Sequence, residues 1–174
     1  MANTPPESAK TGNAIVTDPQ PSITKHAEGY QLHAAILLNR PRDEIFEFFA
    51  DARNLALLTP PFLRFEITTP EPIQMHKGAR IDYRIRLRGI PLRWATEIVE
   101  WNPPYQFTDN QNQGPYRRWK HTHTFTETPQ GTLCEDLVDY SVFGGAVIHE
   151  LFVRRDIESI FRYRTEKLCE LFAT

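Results

Sequence analysis

Two histidines at alternate positions are the side chains of this sequence that most directly indicate a functional site. Trp119, His121, His123 and Phe125 share one phase of the stretch from residue 117 to residue 126. Because two of these four are large aromatics, a strand over this stretch is expected to turn this phase toward the interior. Alternate residues of a strand lie about 6.5 to 7 Å apart, so both imidazoles could contact one ligand or one metal ion.

Further polar residues share the inner face of the neighbouring predicted strands. The in-phase sets are Asp109 and Gln111 with Phe107, and Asp136 and Tyr140 with Val138. A buried polar group without a partner costs about 1 to 3 kcal/mol, so a dry core would not accept this set. These residues must therefore pair with one another or face water and ligand.

Three hypotheses for the histidine pair follow from this pattern. His121 and His123 brace the sheet through nearby aspartates, contact a ligand, or bind zinc or iron together with those carboxylates. We predict ligand contact, with no bound metal or cofactor. If the protein is an enzyme, one of the two histidines acts as general base. The orienting or proton-donating group would then be Asp109, Asp136 or Tyr140.

Three side chains on other predicted elements complete the site. Tyr83 and Trp94 lie on the interior phases of their strands and would form an aromatic wall, unless they only fill the core. Arg164 falls on the helical stripe between Ile160 and Leu168. A buried guanidinium needs an anion, although an arginine can also extend past an apolar edge into water. The predicted ligand-binding residues are Tyr83, Trp94, Asp109, Gln111, Trp119, His121, His123, Asp136, Tyr140 and Arg164.

The elements that must position these residues follow from the periodicity of the 174-residue chain. It predicts an α+β domain over residues 28–174, after a flexible tail over residues 1–27 that is rich in Pro, Thr and Ser. A strand begins at Gly29, a helix follows over residues 41–50, and a second short helix ends at Thr59-Pro60-Pro61. Strands then continue to residue 141. A helix without Pro or Gly covers residues 146–172, and Val147, Leu151 and Ile157 begin its apolar stripe.

Four arginines occupy the outer phase of one predicted hairpin, namely Arg84, Arg86, Arg88 and Arg93. If residues 89–91 form the connection, Leu87 faces Leu92, and Arg86 faces Arg93 as a mildly unfavourable pair. Such a face is usually solvated. The alternative is that the Arg84 to Arg93 hairpin binds another protein.

Composition excludes several classes of protein. Lys and Arg total 20 against 22 for Asp and Glu, so no positive field favours nucleic acid. No stretch approaches the roughly 18 to 20 apolar residues of a membrane span, and the first residues lack the features of a secretory signal. Cys134 and Cys169 match no metal motif, which fits a reducing compartment. We expect a cytoplasmic protein without stable membrane insertion, and its oligomeric state stays open.

The order of the elements and several local motifs resemble the SRPBCC (START-like) superfamily, which includes polyketide cyclases and lipid-transport proteins. The similarity extends from about Gly29 to Phe172 and is greatest to a bacterial ligand-binding branch. It rests on Pro41 to Ala50 with Arg53-Asn54-Leu55, Thr59-Pro60-Pro61, Gly78, Trp101-Asn102-Pro103-Pro104 with Phe107, Trp119 to Phe125, and Ile160 to Arg164.

The resemblance implies a helix-grip fold. In this fold a curved antiparallel sheet of about seven strands wraps around a long C-terminal helix, with two short helices after the first strand. A cavity is expected between the sheet and the long helix. The helix at 41–50 and the segment Thr59 to Leu63 would form its mouth, where Pro60, Pro61 and Phe62 act as a gate.

The expected function is binding or transport of a small hydrophobic or aromatic molecule in that cavity. One alternative is a cofactor-independent enzyme that resembles polyketide cyclases or dehydratases and uses His121 and His123 for acid-base chemistry. The other alternative is a protein-interaction module that uses the Arg84 to Arg93 hairpin.

Overall fold

Eight antiparallel strands form one sheet in the computed structural model, which describes residues 18–172. They are β1 (Asp18–His26), β2 (Gly29–Leu38), β3 (Glu66–Ile67), β4 (Arg80–Leu87), β5 (Ile90–Asn102), β6 (Gln106–Gln113), β7 (Arg118–Thr128) and β8 (Gly131–Ser141). Their spatial order is β1-β2-β8-β7-β6-β5-β4-β3. All neighbours except β2 and β8 are therefore consecutive in sequence. The helix-grip fold is confirmed, with a slightly larger number of strands than expected.

Alternation of the side chains determines which face of the sheet is buried. Every second residue of β8 is buried, from Thr132 to Tyr140. On β7 the predicted inner phase is confirmed, because His121, His123 and Phe125 are all buried. Since β7 and β8 pair with His121 opposite Val138 and His123 opposite Asp136, one row of inner side chains crosses both strands.

The sheet begins earlier in the chain than the sequence predicted. Strand β1 occupies part of the segment assigned to a flexible tail, and it pairs with β2 from Ser22 opposite His33 to His26 opposite Gly29. The composition of this segment is polar and proline-rich, but backbone hydrogen bonds to an existing strand do not depend on apolar side chains. The sheet thus begins before the domain boundary expected at residue 28. Residues 1–17 of the predicted tail lie outside the described residues.

The arginine hairpin turns more tightly than predicted. Arg88 and Gly89 both have positive φ, at 52° and 84°, and they form a two-residue connection between Leu87 and Ile90. Such turns match the twist of the flanking strands. The pairing is therefore Arg84 with Arg93, and Arg86 lies opposite Pro91 rather than opposite Arg93.

The helices lie at two places in the chain. Helix α1 (Arg42–Ala50) follows β2, and two 3₁₀ turns, Ala52–Ala56 and Pro61–Leu63, follow α1. The carboxylate of Asp51 caps the first turn by accepting from the backbone N–H of Arg53 at 3.0 Å. The C-terminal helical segment contains α2 (Gly145–Ile148), a π turn (His149–Val153) and α3 (Arg154–Phe172). No helix among residues 18–172 has the length and apolar composition that crossing a membrane requires.

The π turn changes which residues of the helical segment face the sheet. A π turn takes more residues per turn than an α-helix, so the stripe that starts at Ile157 continues back to His149. His149 has no exposed surface, whereas Val147 and Leu151 are 68% and 60% exposed. The predicted stripe through Val147 and Leu151 is wrong for this reason, since it assumed a regular helix from residue 146.

His149 is held by an aromatic and polar cage. Its Nε2 lies 2.8 Å from the hydroxyl of Tyr140 on β8, and its ring stacks on Tyr30 of β2 at 3.4 Å. Its Nδ1 lies 3.1 Å from a carboxylate oxygen of Glu150. Burial lowers the pKa of His149 below its usual value, and the hydrogen bond to Glu150 opposes this only in part. The other charged groups that influence this imidazole are Arg154 and Glu158 of α3.

We predict that replacing His149 by Gln makes the stability of the domain less sensitive to acid. Because the pKa of His149 is lower in the folded chain, the unfolded chain binds the proton first as the pH falls. Its contribution is complete above the unfolded pKa of about 6.5 and is lost as the pH falls toward the folded value. Urea unfolding from pH 8 to pH 5 should show a shallower decline for the variant. Parallel declines for the two proteins would contradict the prediction.

Candidate functional site

A layer of polar side chains separates two apolar clusters beneath α3. One cluster includes Phe125, Cys134 and Leu168, and the other includes Val138, Tyr140 and Phe161. Between them in sequence lie His121 and His123 on β7, Asp136 on β8 and Arg164 on α3, and these four are 5% to 9% exposed. Strands β7 and β8 and helix α3 thus each place their polar residues between the two apolar clusters. We call these four residues and Asp109 of β6 the polar layer.

Asp136 is the centre of the polar layer. It accepts from Arg164 Nε at 2.7 Å and from Nη2 at 3.2 Å, which makes a two-point ion pair between α3 and β8. Its Oδ1 also lies 3.0 Å from His121 Nε2 and 2.8 Å from His123 Nδ1. A buried carboxylate requires such partners because it has lost its hydration.

Asp109 contacts the opposite nitrogens of the two imidazoles. Its Oδ2 lies 3.3 Å from His123 Nε2 and 3.9 Å from His121 Nδ1. The two rings are 3.8 Å apart between centroids, and the His123 ring also stacks on Phe107 at 4.2 Å. Each histidine therefore lies between two carboxylates, which fixes the orientation of both rings.

The pKa values of the two imidazoles move in opposite directions. Burial lowers the pKa of His121, and the neighbouring His123 lowers it further. Burial also acts against charge on His123, but its hydrogen bonds to Asp109 and Asp136 outweigh burial and raise its pKa. For Asp136, the Arg164 guanidinium and the imidazoles overcome burial and hold the pKa well below its usual range. The two rings thus differ in their affinity for a proton, although they contact the same two carboxylates.

A cavity of about 180 Å³ opens beside the polar layer. Asp109, His121, His123 and Arg164 form its polar side. The lining also contains an aromatic wall, in which Tyr83 stacks on Trp94 at 5.7 Å, and Trp94 meets Tyr116 at 5.5 Å and Trp119 at 5.4 Å. The cavity therefore has one aromatic wall and one charged wall.

Seven of the ten residues predicted to bind ligand line this cavity. They are Tyr83, Trp94, Asp109, Trp119, His121, His123 and Arg164. The other three, Gln111, Asp136 and Tyr140, are not part of the lining. The roles of these residues in binding, and of Asp109 and the histidines in catalysis, stay predictions.

The three residues outside the lining have structural partners that alternation could not indicate. The side-chain amide of Gln111 donates to the carbonyl of Tyr116 at 2.8 Å and so fixes the turn after β6. Asp136 lies behind the imidazoles, and Tyr140 has no exposed surface and contacts His149. In a strand the phase gives the face of the sheet, but it does not give the depth of the side chain below the cavity.

Several lining residues were not predicted as site residues. Phe49 of α1 and Phe161 of α3 enter the lining from the helices, and Tyr116 enters it from the turn between β6 and β7. Thr96 of β5 also lines the cavity, beside Tyr83 of β4. The apolar faces of the two helices were the available signal for Phe49 and Phe161. Tyr116 follows Gly114 and Pro115, and the sequence there indicates only a turn.

Only some residues of the predicted mouth line the cavity. Thr59 and Leu63 line it, whereas Phe62 is 55% exposed and is not part of the lining, so this side chain is misplaced for a gate.

At another edge the tip of the arginine hairpin is tied to the helical segment. Arg88 donates to both carboxylate oxygens of Asp156 at 3.0 Å, and its guanidinium lies 5.1 Å from the Phe152 ring centre. Arg88 is therefore engaged within the domain rather than free for another protein.

Comparison with known proteins agrees with this architecture. Residues 38–166 match the model of the family described as polyketide cyclase / dehydrase and lipid transport. No curated protein is significantly similar in sequence. The matched segment includes the polar layer and every strand from β3 to β8.

Solved structures with the same fold come from several bacteria. Protein Ms6760 from Mycobacterium smegmatis has a TM-score of 0.62 at 17% identity, with 86% of this chain and 95% of that chain covered. Protein CV1439 from Chromobacterium violaceum has a TM-score of 0.66 at 12% identity, with 83% and 98% covered. A protein from Arthrobacter aurescens has a TM-score of 0.66 at 13% identity, with 91% and 92% covered. At these identities the similarity concerns the fold alone.

We predict that replacing Arg164 by Met destabilises the domain by about 3 to 5 kcal/mol, because Asp136 loses its charged partner inside the protein. The matched control is the substitution Arg162→Met on the same helix, because Arg162 is exposed. A second substitution, Asp136→Asn, in the Arg164→Met variant should restore part of the lost stability, since no unpaired charge then stays buried. Urea unfolding measures all three variants. Equal stabilities of the Arg164 and Arg162 variants would contradict the prediction.

Proposed function

The chain belongs to the polyketide cyclase / dehydrase and lipid transport family, and on this premise we propose that it binds a small aromatic molecule in the cavity beneath α3. The observation that carries the proposal is the combination of an aromatic wall and a polar layer around one partly open cavity. Ligand sites are commonly apolar clefts in which a few polar groups orient the ligand. The family description includes both carriers and enzymes, and binding is common to both.

The size of the cavity supports a ligand of about one substituted ring. Its volume is about 180 Å³, and a dry engineered cavity of about 150 Å³ binds benzene. The stacked pair Tyr83 and Trp94 offers flat faces against which such a ring would pack. A larger ligand would require movement of the lining.

Two donors on the aromatic wall support a ligand that carries an acceptor oxygen. The indole Nε1 of Trp94 is buried and has no hydrogen-bond partner among residues 18–172. Burial raises the pKa of Tyr83 well above its usual value, so its phenol stays protonated and can donate. A carbonyl, hydroxyl or phenolate oxygen in the cavity would accept from the Tyr83 hydroxyl, whose present partner is the Thr96 hydroxyl at 3.4 Å. It would pair with Trp94 Nε1 once the buried indole turns toward the cavity.

We predict that phenol and 4-nitrophenol bind the wild-type protein, and that replacing Ile160 by Trp weakens this binding about tenfold or more. Ile160 of α3 lines the cavity, and an indole there would fill the space that the ring needs. Isothermal titration calorimetry measures both affinities. Ile160 to Leu is the matched control, because it preserves the volume of the side chain and should retain the affinity.

Cyclohexanol tests the aromatic preference, because it has a similar size and a hydroxyl group but no flat π face. It should bind more weakly than phenol. The proposal fails if neither phenol binds the wild-type protein, or if the Ile160 to Trp variant binds both phenols as tightly as the wild type does.

A further inference from the structure

The polar layer contains a second feature, which concerns the side of the imidazoles that faces away from Asp136. One ligand atom each from Asp109, His121 and His123 can be chosen so that all three atoms lie within 4.8 Å of one another. The shortest separations join Asp109 Oδ2 to His123 Nε2 at 3.3 Å and to His121 Nδ1 at 3.9 Å. Two imidazole nitrogens and one carboxylate oxygen thus converge on one point at the wall of the cavity.

The two separations from Asp109 are close to those that a bound transition metal imposes, and the two imidazole nitrogens lie within 4.8 Å of each other. Metal bonds to histidine nitrogen and carboxylate oxygen are about 2.0 to 2.2 Å long, so neighbouring ligand atoms lie about 3 to 3.5 Å apart. The separation of 3.3 Å between Asp109 and His123 already falls in this range, and that of 3.9 Å requires a closure of a few tenths of an ångström. Small rotations of side chains supply such a closure.

The opposite nitrogens of both rings are held as in metal sites. A histidine that binds a metal usually donates its other N–H to a carboxylate, which fixes the tautomer and the direction of the ring. Here one carboxylate serves both rings, because Asp136 lies 3.0 Å from His121 Nε2 and 2.8 Å from His123 Nδ1. Arg164 fixes Asp136 in turn and cancels its charge. The Asp109 carboxylate then remains as the anionic ligand of the converging set.

Bracing of the sheet explains part of this arrangement, because Asp136 contacts one nitrogen of each ring and Asp109 accepts a hydrogen bond from His123 Nε2 at 3.3 Å. It does not explain why His121 Nδ1 also lies 3.9 Å from Asp109, which is too long for a hydrogen bond. Asp109 pairs only with the two imidazoles among the ion pairs of residues 18–172, and it reaches both from the cavity side. A divalent cation would supply the positive partner that these three ligand atoms share.

We propose that Asp109, His121 and His123 form a site for a divalent transition metal ion such as zinc or iron(II), with its remaining coordination positions open to the cavity. Two imidazoles with one carboxylate are a ligand set of this class of metals, whereas calcium and magnesium prefer oxygen ligands throughout. A metal site is one of the three hypotheses that the pattern of the histidines indicates. The metal site is independent of the aromatic ligand, and an oxygen of that ligand or of water would occupy an open position.

Cobalt(II) tests the site, because its visible absorption reports coordination by nitrogen and oxygen. The full chain, treated with chelator and then titrated with cobalt(II) chloride, is expected to bind one ion per chain with a new visible absorption band. Zinc chloride should abolish that band by displacement. Absence of stoichiometric binding to the wild-type protein would overturn the proposal.

Three variants locate the bound ion. The substitutions Asp109→Asn and His121→Phe each remove one ligand but keep a side chain of similar shape. Each should therefore weaken cobalt binding about 100-fold or more. His33 to Ala is the matched control, because it removes an exposed histidine that pairs with Glu135 at 3.1 Å. Binding that persists in both site variants, or that disappears in the control, would overturn the proposal.

Two measurements keep these outcomes decisive. Circular dichroism verifies that each variant is folded, and if one site variant does not fold, the other decides. Titration of the wild-type protein with phenol in the absence of metal separates the two sites. Absence of cobalt binding to the wild-type protein, with intact phenol binding, would refute the metal site and leave the proposed function standing.

Discussion

The buried ion pair between Arg164 and Asp136 is the interaction on which the candidate site depends. It joins the middle of α3 to the middle of β8 through surroundings that are otherwise apolar. A charge removed from water is tolerated in such a place only with close, well-directed partners. The pair therefore fixes where α3 crosses the sheet. Because Asp136 also holds both imidazoles, the same pair determines how His121 and His123 face the cavity.

The position of the polar layer between two apolar clusters explains how the domain maintains both a core and a cavity. The cluster around Phe125 and Leu168 and the cluster around Val138 and Phe161 fill the two ends of the space beneath α3. Between these ends the charged groups are directed and mutually satisfied, so they do not collapse into a tight apolar core. The cavity lies where the aromatic side chains of β4 and β5 face this layer.

The parts of the structure that depend on local periodicity could be predicted from the sequence. The inner phase of β7 follows from alternation with Trp119 and Phe125, and the place of Arg164 on the stripe that faces the sheet follows from its helical spacing to Leu168. The partners of these residues could not be predicted in the same way. That Asp136 serves Arg164 and both imidazoles depends on the register of β8 with β7 and on the position of α3, which are long-range properties.

Local irregularities account for the remaining differences. The π turn at His149 and the two-residue turn at Arg88 and Gly89 each change the count of residues by a small amount. Such a change moves a residue to another face, as it does for Val147, or gives it another cross-strand partner, as it does for Arg86. Periodic patterns assume regular elements, and neither irregularity has a strong signature in composition.

The shared carboxylate also constrains how this protein can evolve. A substitution at Arg164 leaves Asp136 charged without its guanidinium, and a substitution at Asp136 leaves Arg164 and the imidazoles without their common acceptor. Changes at residues that share one network are not additive, so a second substitution is tolerated mainly after the first has occurred. Among descendants of this sequence, these positions should accordingly vary together or not at all, whereas the exposed Arg84, Arg86 and Arg93 of the hairpin are free to drift one at a time.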